Sequence, residues 1–235
     1  MSKKTSAFRP EVNGPILEIS EAISIMGKSK VISADRSINI WARKTKLPYS
    51  NNVHQIIRYQ QETLLSCAEE NSYHANWNLI YLPNLSLFNM TQIFKAGSGS
   101  IPNFTRSSKW IRQKDQTWSR QALPAGYYLI NLMPRYVNML PSERLKLLSQ
   151  ELAPELAPAT PAQFGLAYFT KLLVNPECDR PNFYHISTDI AQNDQFITIG
   201  NYTDNNGMDI NTVRDIRPNN QSVNHGITLI RNHDF

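Results

Sequence analysis

Cysteine is nearly absent: the 235-residue chain holds two, Cys67 and Cys178, far apart in sequence. That argues against a disulfide framework or a cysteine-rich zinc site as the source of stability. No apolar run approaches the roughly 18 residues of a membrane-spanning helix, and the opening MSKKTSAFRPEVNGP has a basic start with no apolar stretch behind it to act as a signal peptide. The expectation is a product without a membrane span, made and kept in a cytoplasm or packaged from one into a virion. Reactive motifs are missing as well. His54, His74, His185, His225 and His233 show no metal-ligand spacing such as HExxH, Cys178-Asp179 has no recognisable nucleophile context, and neither GxxxxGK[ST] nor GxGxxG occurs. No enzyme activity, cofactor or metal is expected.

What is present is the composition of a globular chain, 41% hydrophobic and 18% charged, long enough for one large domain or two small ones. The net charge of +5 hides an asymmetry. Residues 1–120 carry 16 Lys+Arg and 8 Asp+Glu, giving +8, whereas residues 121–235 carry 8 and 11, giving −3. A basic first half raises nucleic acid as an alternative partner. A solvated basic face is the preferred reading, because no tight Lys/Arg cluster appears.

Along the chain, residues 1–15 read as an unanchored tail, and residues 16–26 as a short amphipathic helix ended by Gly27. Val31-Ile32 and Ile38-Asn39-Ile40 read as short strands. With the basic WARKTKLP behind them they imitate a helix-turn-helix, but the spacing is poor for one. Residues 51–70 carry apolar residues at helical spacing, Leu79–Leu82 reads as a strand, and Leu85–Phe94 as a short helix or a second strand. Gly97–Ser100 marks a flexible loop. Trp110 and Trp118 are expected to be core plugs under a loop. Tyr127–Leu132 is a strongly apolar strand stopped by Pro134, and Pro141-Ser142-Glu143 opens a helix. LAPELAPATPAQ is a Pro-broken connector before a deeply buried helix running from Pro161 or Ala162 to Val174. Tyr184–Ser187, Phe196–Thr203, Met208–Val213 and Ile227–Arg231 are the closing strands. A polar loop fills 188–195, and Asp204-Asn205-Asn206-Gly207 makes a hairpin turn.

The closing stretch is the most distinctive. Nine of the last 43 residues are Asn, against fourteen of the preceding 192. Ile197, Ile199, Met208, Ile210, Val213, Ile227 and Leu229 alternate with Asn, Asp, Thr, Ser, Tyr and His, which frames a polar surface with strands.

The order strand, helix, helix, then closing sheet, with Arg217, an Asn-rich insert and Gly226-Ile-Thr-Leu-Ile-Arg231 at its end, resembles the C-type lectin fold in its formylglycine-generating-enzyme branch. That branch includes the variable proteins of diversity-generating retroelements. From YYLINLMPRYVNM at Tyr127 onward, the chain is similar to such proteins from small archaea, candidate-phylum bacteria and their viruses. Ile227 stands where the branch often has Phe, and Thr228 replaces its Arg. The resemblance implies an α+β, C-type lectin-like fold with two helices and an antiparallel C-terminal sheet. The lectin-like domain would span 77–235, behind a 1–76 region of unclear fold. In such systems a reverse transcriptase copies a template and mutates adenines, so Asn codons vary most. The implied variable region is 190–231, with ligand-binding candidates Asn193, Asp194, Asn201, Tyr202, Thr203, Asp204, Asn205, Asp209, Asn211, Arg214, Asp215, Asn219, Asn220, Ser222, Asn224 and His225. The branch's catalytic chemistry relies on a late cysteine pair, and residues 179–235 contain no cysteine.

Alternation independently sends these polar side chains away from the strand residues that hold the backbone, and Tyr, Ser, Asn and Gly are the residue types of adaptable binding surfaces. Asn205-Asn206-Gly207 taken alone reads as a plain turn. The cluster Asp204, Asn205, Asn206, Asp209 falls short of the six to eight oxygen ligands a calcium ion takes. The expected function is non-catalytic binding of a protein or cell-surface ligand, with nucleic acid the alternative.

Overall fold

The computed structural model describes residues 16–45, 56–95, 102–113, 116–137, 139–151, 153–191, 195–214 and 225–233. In chain order the helices are α1 (Ile19–Met26), α2 (Ala34–Thr45), α3 (Gln61–Asn71), α4 (Leu87–Ile93), α5 (Pro141–Glu151) and α6 (Pro161–Val174). The strands are β1 (Val31–Ile32), β2 (Trp77–Leu82), β3 (Gly126–Arg135), β4 (Leu156–Pro158), β5 (Tyr184–Ala191), β6 (Gln195–Thr203), β7 (Gly207–Val213) and β8 (His225–Arg231). They form one eight-stranded sheet in the order β1-β2-β3-β8-β5-β6-β7, with β4 also on β8. The fold is mixed α+β, with six α-helices among the described residues. The expected purely antiparallel closing sheet is corrected: β5 runs parallel to β8, as β1 does to β2. No helix among the described residues is long and apolar enough to cross a membrane.

Both faces of the sheet's centre are buried. On β2, Trp77, Leu79 and Tyr81 enter one apolar cluster with Ala22, Leu64, Cys67 and Leu229, drawn in part from α1, α3 and β8. Ile80 and Leu82 enter the other, with Trp41, Phe94, Phe164, Phe169, Ile199 and Ile210. A strand covered on both sides is apolar on both faces, and in WNLIYL the one polar residue, Asn78, is buried with its amide hydrogen-bonded to Asn76. Residues 1–76 read in sequence as a region of unclear fold. Their described part shares these cores: Trp41 is fully buried and its Nε1–H donates to Thr170 Oγ1 of α6 at 2.9 Å. Val31 pairs with Leu79 in the sheet.

Helix α6 is apolar around most of its circumference, and ten of its residues are buried. Pro161 stands in its first turn. Thr160 Oγ1 accepts the Gln163 N–H at 3.2 Å while Gln163 Oε1 accepts the Thr160 N–H at 2.7 Å, a reciprocal cap that fixes where the helix begins. Of the two readings of Leu85–Phe94, the helix rather than the second strand holds, as α4, and Ser86 Oγ caps it on the Asn89 N–H at 3.1 Å. Four expectations are corrected. Ile38-Asn39-Ile40 lies inside α2, because the buried positions Ala34, Ser37 and Trp41 follow helical spacing. Pro134 does not stop β3; lacking an N–H, it sits in a register shift between Asn131 and Arg135. The polar stretch 188–191 belongs to a bulged β5, and Leu156–Pro158 of the connector is β4. The tail 1–15 and the loop Gly97–Ser100 lie outside the described residues.

The sheet is spliced at β8. Its residues 229–231 pair with β4, and along the same edge residues 225–226 pair with β5. At the fork sits the fully buried His185 of β5. Its Nδ1 accepts the Thr228 N–H at 2.9 Å, so the ring proton is on Nε2, which donates to the Ala159 carbonyl at 2.8 Å. The ring also stacks on Phe164, 5.1 Å away and 13° from parallel. Burial pushes its pKa from 6.5 down to about 4.

As pH falls, the unfolded chain therefore takes up this proton before the folded chain does. The contribution is complete above about pH 6.5 and is lost progressively toward about pH 4, a difference on the order of 3 kcal/mol. His185→Phe keeps the stack but orphans a buried N–H and a buried carbonyl, with an expected loss of about 2–5 kcal/mol. Urea midpoints at neutral and mildly acid pH check both points. The pH-dependent drop should be smaller in His185→Phe than in the native chain, and an equal drop would show that His185 does not carry it.

Candidate functional site

The strand register puts His225, Tyr184, Gly200 and Asp209 in one row across β8, β5, β6 and β7, on the face opposite His185, Ile199 and Ile210. Gly200 contributes no side chain, which leaves a gap in the row. Across it the Tyr184 hydroxyl donates to Asp209 Oδ2 at 2.8 Å, and Thr105 donates to Oδ1 at 2.7 Å. His225 stacks on Tyr184 at 5.4 Å and 18°. Burial, then the Asp209 hydrogen bond, push the Tyr184 phenol up to about 12, so it remains a donor through the physiological range.

Beyond the row, β6 bends. Gly200 has φ +150° and a Cβ there would overlap the Phe183 carbonyl; Asn201 follows in the left-handed region at φ 44°. The Asn201 and Tyr202 N–H groups donate to the carbonyls of Phe183 and Pro181, each at 2.8 Å. The strand thereby leaves β7 for the 181–183 segment, and its register on β7 shifts between Gly200 and Thr203. One consequence overturns an expectation: the bend carries Tyr202 inward, leaving it 4% exposed. Burial is also the first cause of its raised pKa.

The tip is open. Thr203, Asp204, Asn205 and Asn206 are exposed, with Thr203 Oγ1 accepting the Asn206 N–H at 3.2 Å in the expected turn. Arg180 grips Asp204 with two hydrogen bonds, Nε to Oδ1 at 2.9 Å and Nη2 to Oδ2 at 3.3 Å, and this bond is the main cause of its raised pKa. Gly207, at φ +84°, ends the turn with Asn103 packed against its Cα. Phe104 then bridges to Met208, and Trp110 Nε1–H donates to the Ile210 carbonyl at 2.9 Å. Both contacts blunt the outer edge of the sheet. Trp110 and Trp118, with rings 5.8 Å apart, also pack on the core as expected.

The described candidates therefore divide. Thr203, Asp204 and Asn205 cluster at the tip; Asn211 and Arg214 are exposed toward the far end of β7. Asn201, Asp209 and His225 are half-buried. Asn193, Asp194, Asp215, Asn219, Asn220, Ser222 and Asn224 lie outside the described residues. Sequence reasoning missed Tyr184, Arg180 and Thr105, whose partners lie 25, 24 and 104 residues away. Only the β5–β6–β7 register, with its side-chain-free position at Gly200, could have signalled Tyr184.

Comparisons with protein families, curated proteins and solved structures found no match to this chain.

The two anchors should differ in strength. Tyr184→Phe removes a half-buried hydrogen bond to a carboxylate, with an expected loss of about 1–2 kcal/mol. Arg180→Ala opens a solvent-exposed pair and should cost below about 1 kcal/mol, less at high salt. Urea denaturation of both variants ranks them, and a larger loss in Arg180→Ala would place the hairpin's anchor at its tip.

Proposed function

We propose that this is a non-catalytic binding protein that presents a diversified recognition surface, on a C-type lectin-like scaffold, to a macromolecular and most simply a protein partner. One observation carries the reading: six aliphatic positions of the closing strands are sealed from solvent, while five of the candidate polar positions, at the hairpin tip and toward the far end of β7, are exposed. Ile197, Ile199, Met208, Ile210, Ile227 and Leu229 are 0% exposed, while Thr203, Asp204, Asn205, Asn211 and Arg214 are exposed. A surface whose side chains can change without disturbing its core suits specificity that varies on a constant backbone. The small polar residues of the tip fit this use, offering donors and acceptors on short side chains that lose little entropy when ordered.

The order of β3, α5, α6 and the strands β5 to β8 supports the lectin-like reading. Within it, Tyr202, Asp209 and Tyr184 belong to the support and the exposed five to recognition. Asp209 is held by two hydroxyl donors, so its exchange would cost the hairpin its anchor. The non-catalytic character is supported by His185, neutral and used up in two backbone hydrogen bonds, and by Cys67, which is wholly inside an apolar cluster.

Two measurements test this. In the DNA flanking the gene, a near-repeat of the codons for residues 190–231 is expected beside a reverse-transcriptase gene, differing mainly at adenines; a locus with neither would sink the proposal. In the protein, random replacements at Thr203, Asn205, Asn211 and Arg214 should each change stability by less than about 0.5 kcal/mol. Ile199→Ala or Ile210→Ala should cost about 2–5 kcal/mol.

A further inference from the structure

Away from the hairpin, a cleft of about 620 Å³ opens between the Lys28–Lys30 turn, β1, the start of α2 and the C-terminal end of α6 with the loop behind it. Its size is that of a small-molecule site rather than of a surface dimple. Four cations line it, Lys28, Lys30, Arg36 and Lys171, against two carboxylates, Glu177 and Asp179. The charges are not spread evenly. Glu177 and Asp179 are exposed at the rim, whereas Lys30 and Lys171 reach inward to the side-chain oxygens of two asparagines.

Lys30 Nζ donates to Asn76 Oδ1 at 2.7 Å, and Lys171 Nζ to Asn78 Oδ1 at 3.1 Å. Asn78 in turn donates to the Asn76 backbone carbonyl at 2.6 Å and to Asn76 Oδ1 at 3.0 Å. The two ammonium groups are thus positioned by one amide cluster at the start of β2. Neither has a carboxylate within ion-pair distance among the described residues. Each ammonium can donate three hydrogen bonds and is given one amide oxygen here. Burial lowers the pKa of both lysines; Cys178 and Asp179 oppose this at Lys171, Lys30 adds to it there, and Asp179 opposes it at Lys30, so the net effect leaves each ammonium to gain from an added negative charge. Two like charges oriented together by neutral groups make a receptor for a dianion. Val31, Ile32 and Val174 line the same cleft, so part of its wall is apolar and can meet an uncharged body attached to that dianion.

We propose that this cleft binds a small phosphate monoester, with Lys30 and Lys171 on the phosphate, Arg36 and Lys28 supporting them, and the organic part resting on Val31, Ile32 and Val174. A lone inorganic anion would leave most of the cleft and its apolar wall unused. A continuous polyanion such as RNA would have to pass the Glu177 and Asp179 carboxylates at the rim.

Cys178 supplies a reporter in the unaltered protein. The chain has two cysteines, Cys67 wholly buried and Cys178 half-buried in the cleft wall, so native alkylation reads Cys178. The first measurement is the ratio of its alkylation rates by iodoacetate and iodoacetamide, referred to free cysteine. The thiolate fraction cancels in this ratio, which reads only the local field on an incoming anion. It should exceed the free-cysteine ratio by about threefold or more and fall as salt is raised. The second is protection of Cys178 from iodoacetamide by phenyl phosphate at physiological ionic strength, followed alongside titration calorimetry. Saturable, one-to-one binding with matching protection is expected, about tenfold weaker for benzoate or inorganic phosphate, and about tenfold weaker in Lys171→Met and Lys30→Met chains. A rate ratio equal to that of free cysteine overturns the proposal. So does phenyl phosphate binding without protection, binding unchanged in folded Lys171→Met and Lys30→Met chains, or protection by an RNA oligonucleotide but not by phenyl phosphate. Should either variant fail to fold, the rate ratio and the protection in the native chain decide.

Discussion

The neutral imidazole of His185 is the constraint on which the rest of the arrangement depends. An interior strand needs a continuous partner on each edge, because an unpaired backbone group away from water costs as much as a lost hydrogen bond. On one edge β8 changes partner, from β4 to β5, and Thr228 and Ala159 lie at the change. The Ala159 N–H is satisfied by the Thr228 carbonyl at 2.8 Å, and the imidazole takes up the two groups that remain. The neutral imidazole accepts through one nitrogen and donates through the other while its flat face stacks on Phe164. The residue after Ala159 is Thr160, the cap of α6, so the same fork sets where the most buried helix starts. It also sets the register of β5, and through β5 the row that carries Tyr184 and Asp209.

Elements whose cause is local were legible in the sequence. Helix α6 announces itself by Pro161, the Thr160 and Gln163 cap and apolar residues on every side; the β6–β7 turn does so by Asn205-Asn206-Gly207, in which Gly207 takes the positive φ. What resisted reading is what depends on a distant partner. Ile38-Asn39-Ile40 alternates like a strand, but Trp41 is drawn to Thr170 and Ser37 to the Tyr81 carbonyl, and those tertiary bonds select helical spacing. Pro134 reads as a stop and is a bulge, because β8 continues beside it. A parallel β5–β8 contact cannot be seen in either strand alone, since both ladders use the same alternation.

The candidate surface shows the same division. Alternation separates the aliphatic from the polar positions of β6 and β7, but it does not separate polar groups that face water from those tied to the scaffold. Asp204 and Asp209 are the same residue type, each near one end of the same strand pair. Asp204 meets an arginine in water and Asp209 meets two hydroxyls in a half-buried niche. An exposed pair contributes little and can be lost, whereas a carboxylate shielded from water must keep its donors. Tyr202 marks the limit of pattern reading. It lies in an Asn- and Thr-rich stretch and is still internal, because strain at Gly200 and Asn201 turns the strand over before it.

Arg180 stands between the hairpin and the cationic cleft and gives the two a shared element. Its guanidinium holds Asp204, and its Nη1 donates to the carbonyl of Cys178 at 2.9 Å, a residue of the cleft wall. With Asp204 in place the arginine is neutralised and points at the tip. Replacing Asp204 by a neutral residue leaves that charge beside the loop that also carries Asp179, whose carboxylate raises the affinity of Lys30 and Lys171 for their protons. Arg180 is two residues from Cys178, so the tip and the cleft meet at one short loop, and because the Arg180–Asp204 pair is exposed, salt screens the field around it. A single side chain thus touches both regions, while the half-buried row at Tyr184 and Asp209 is held by its own hydrogen bonds.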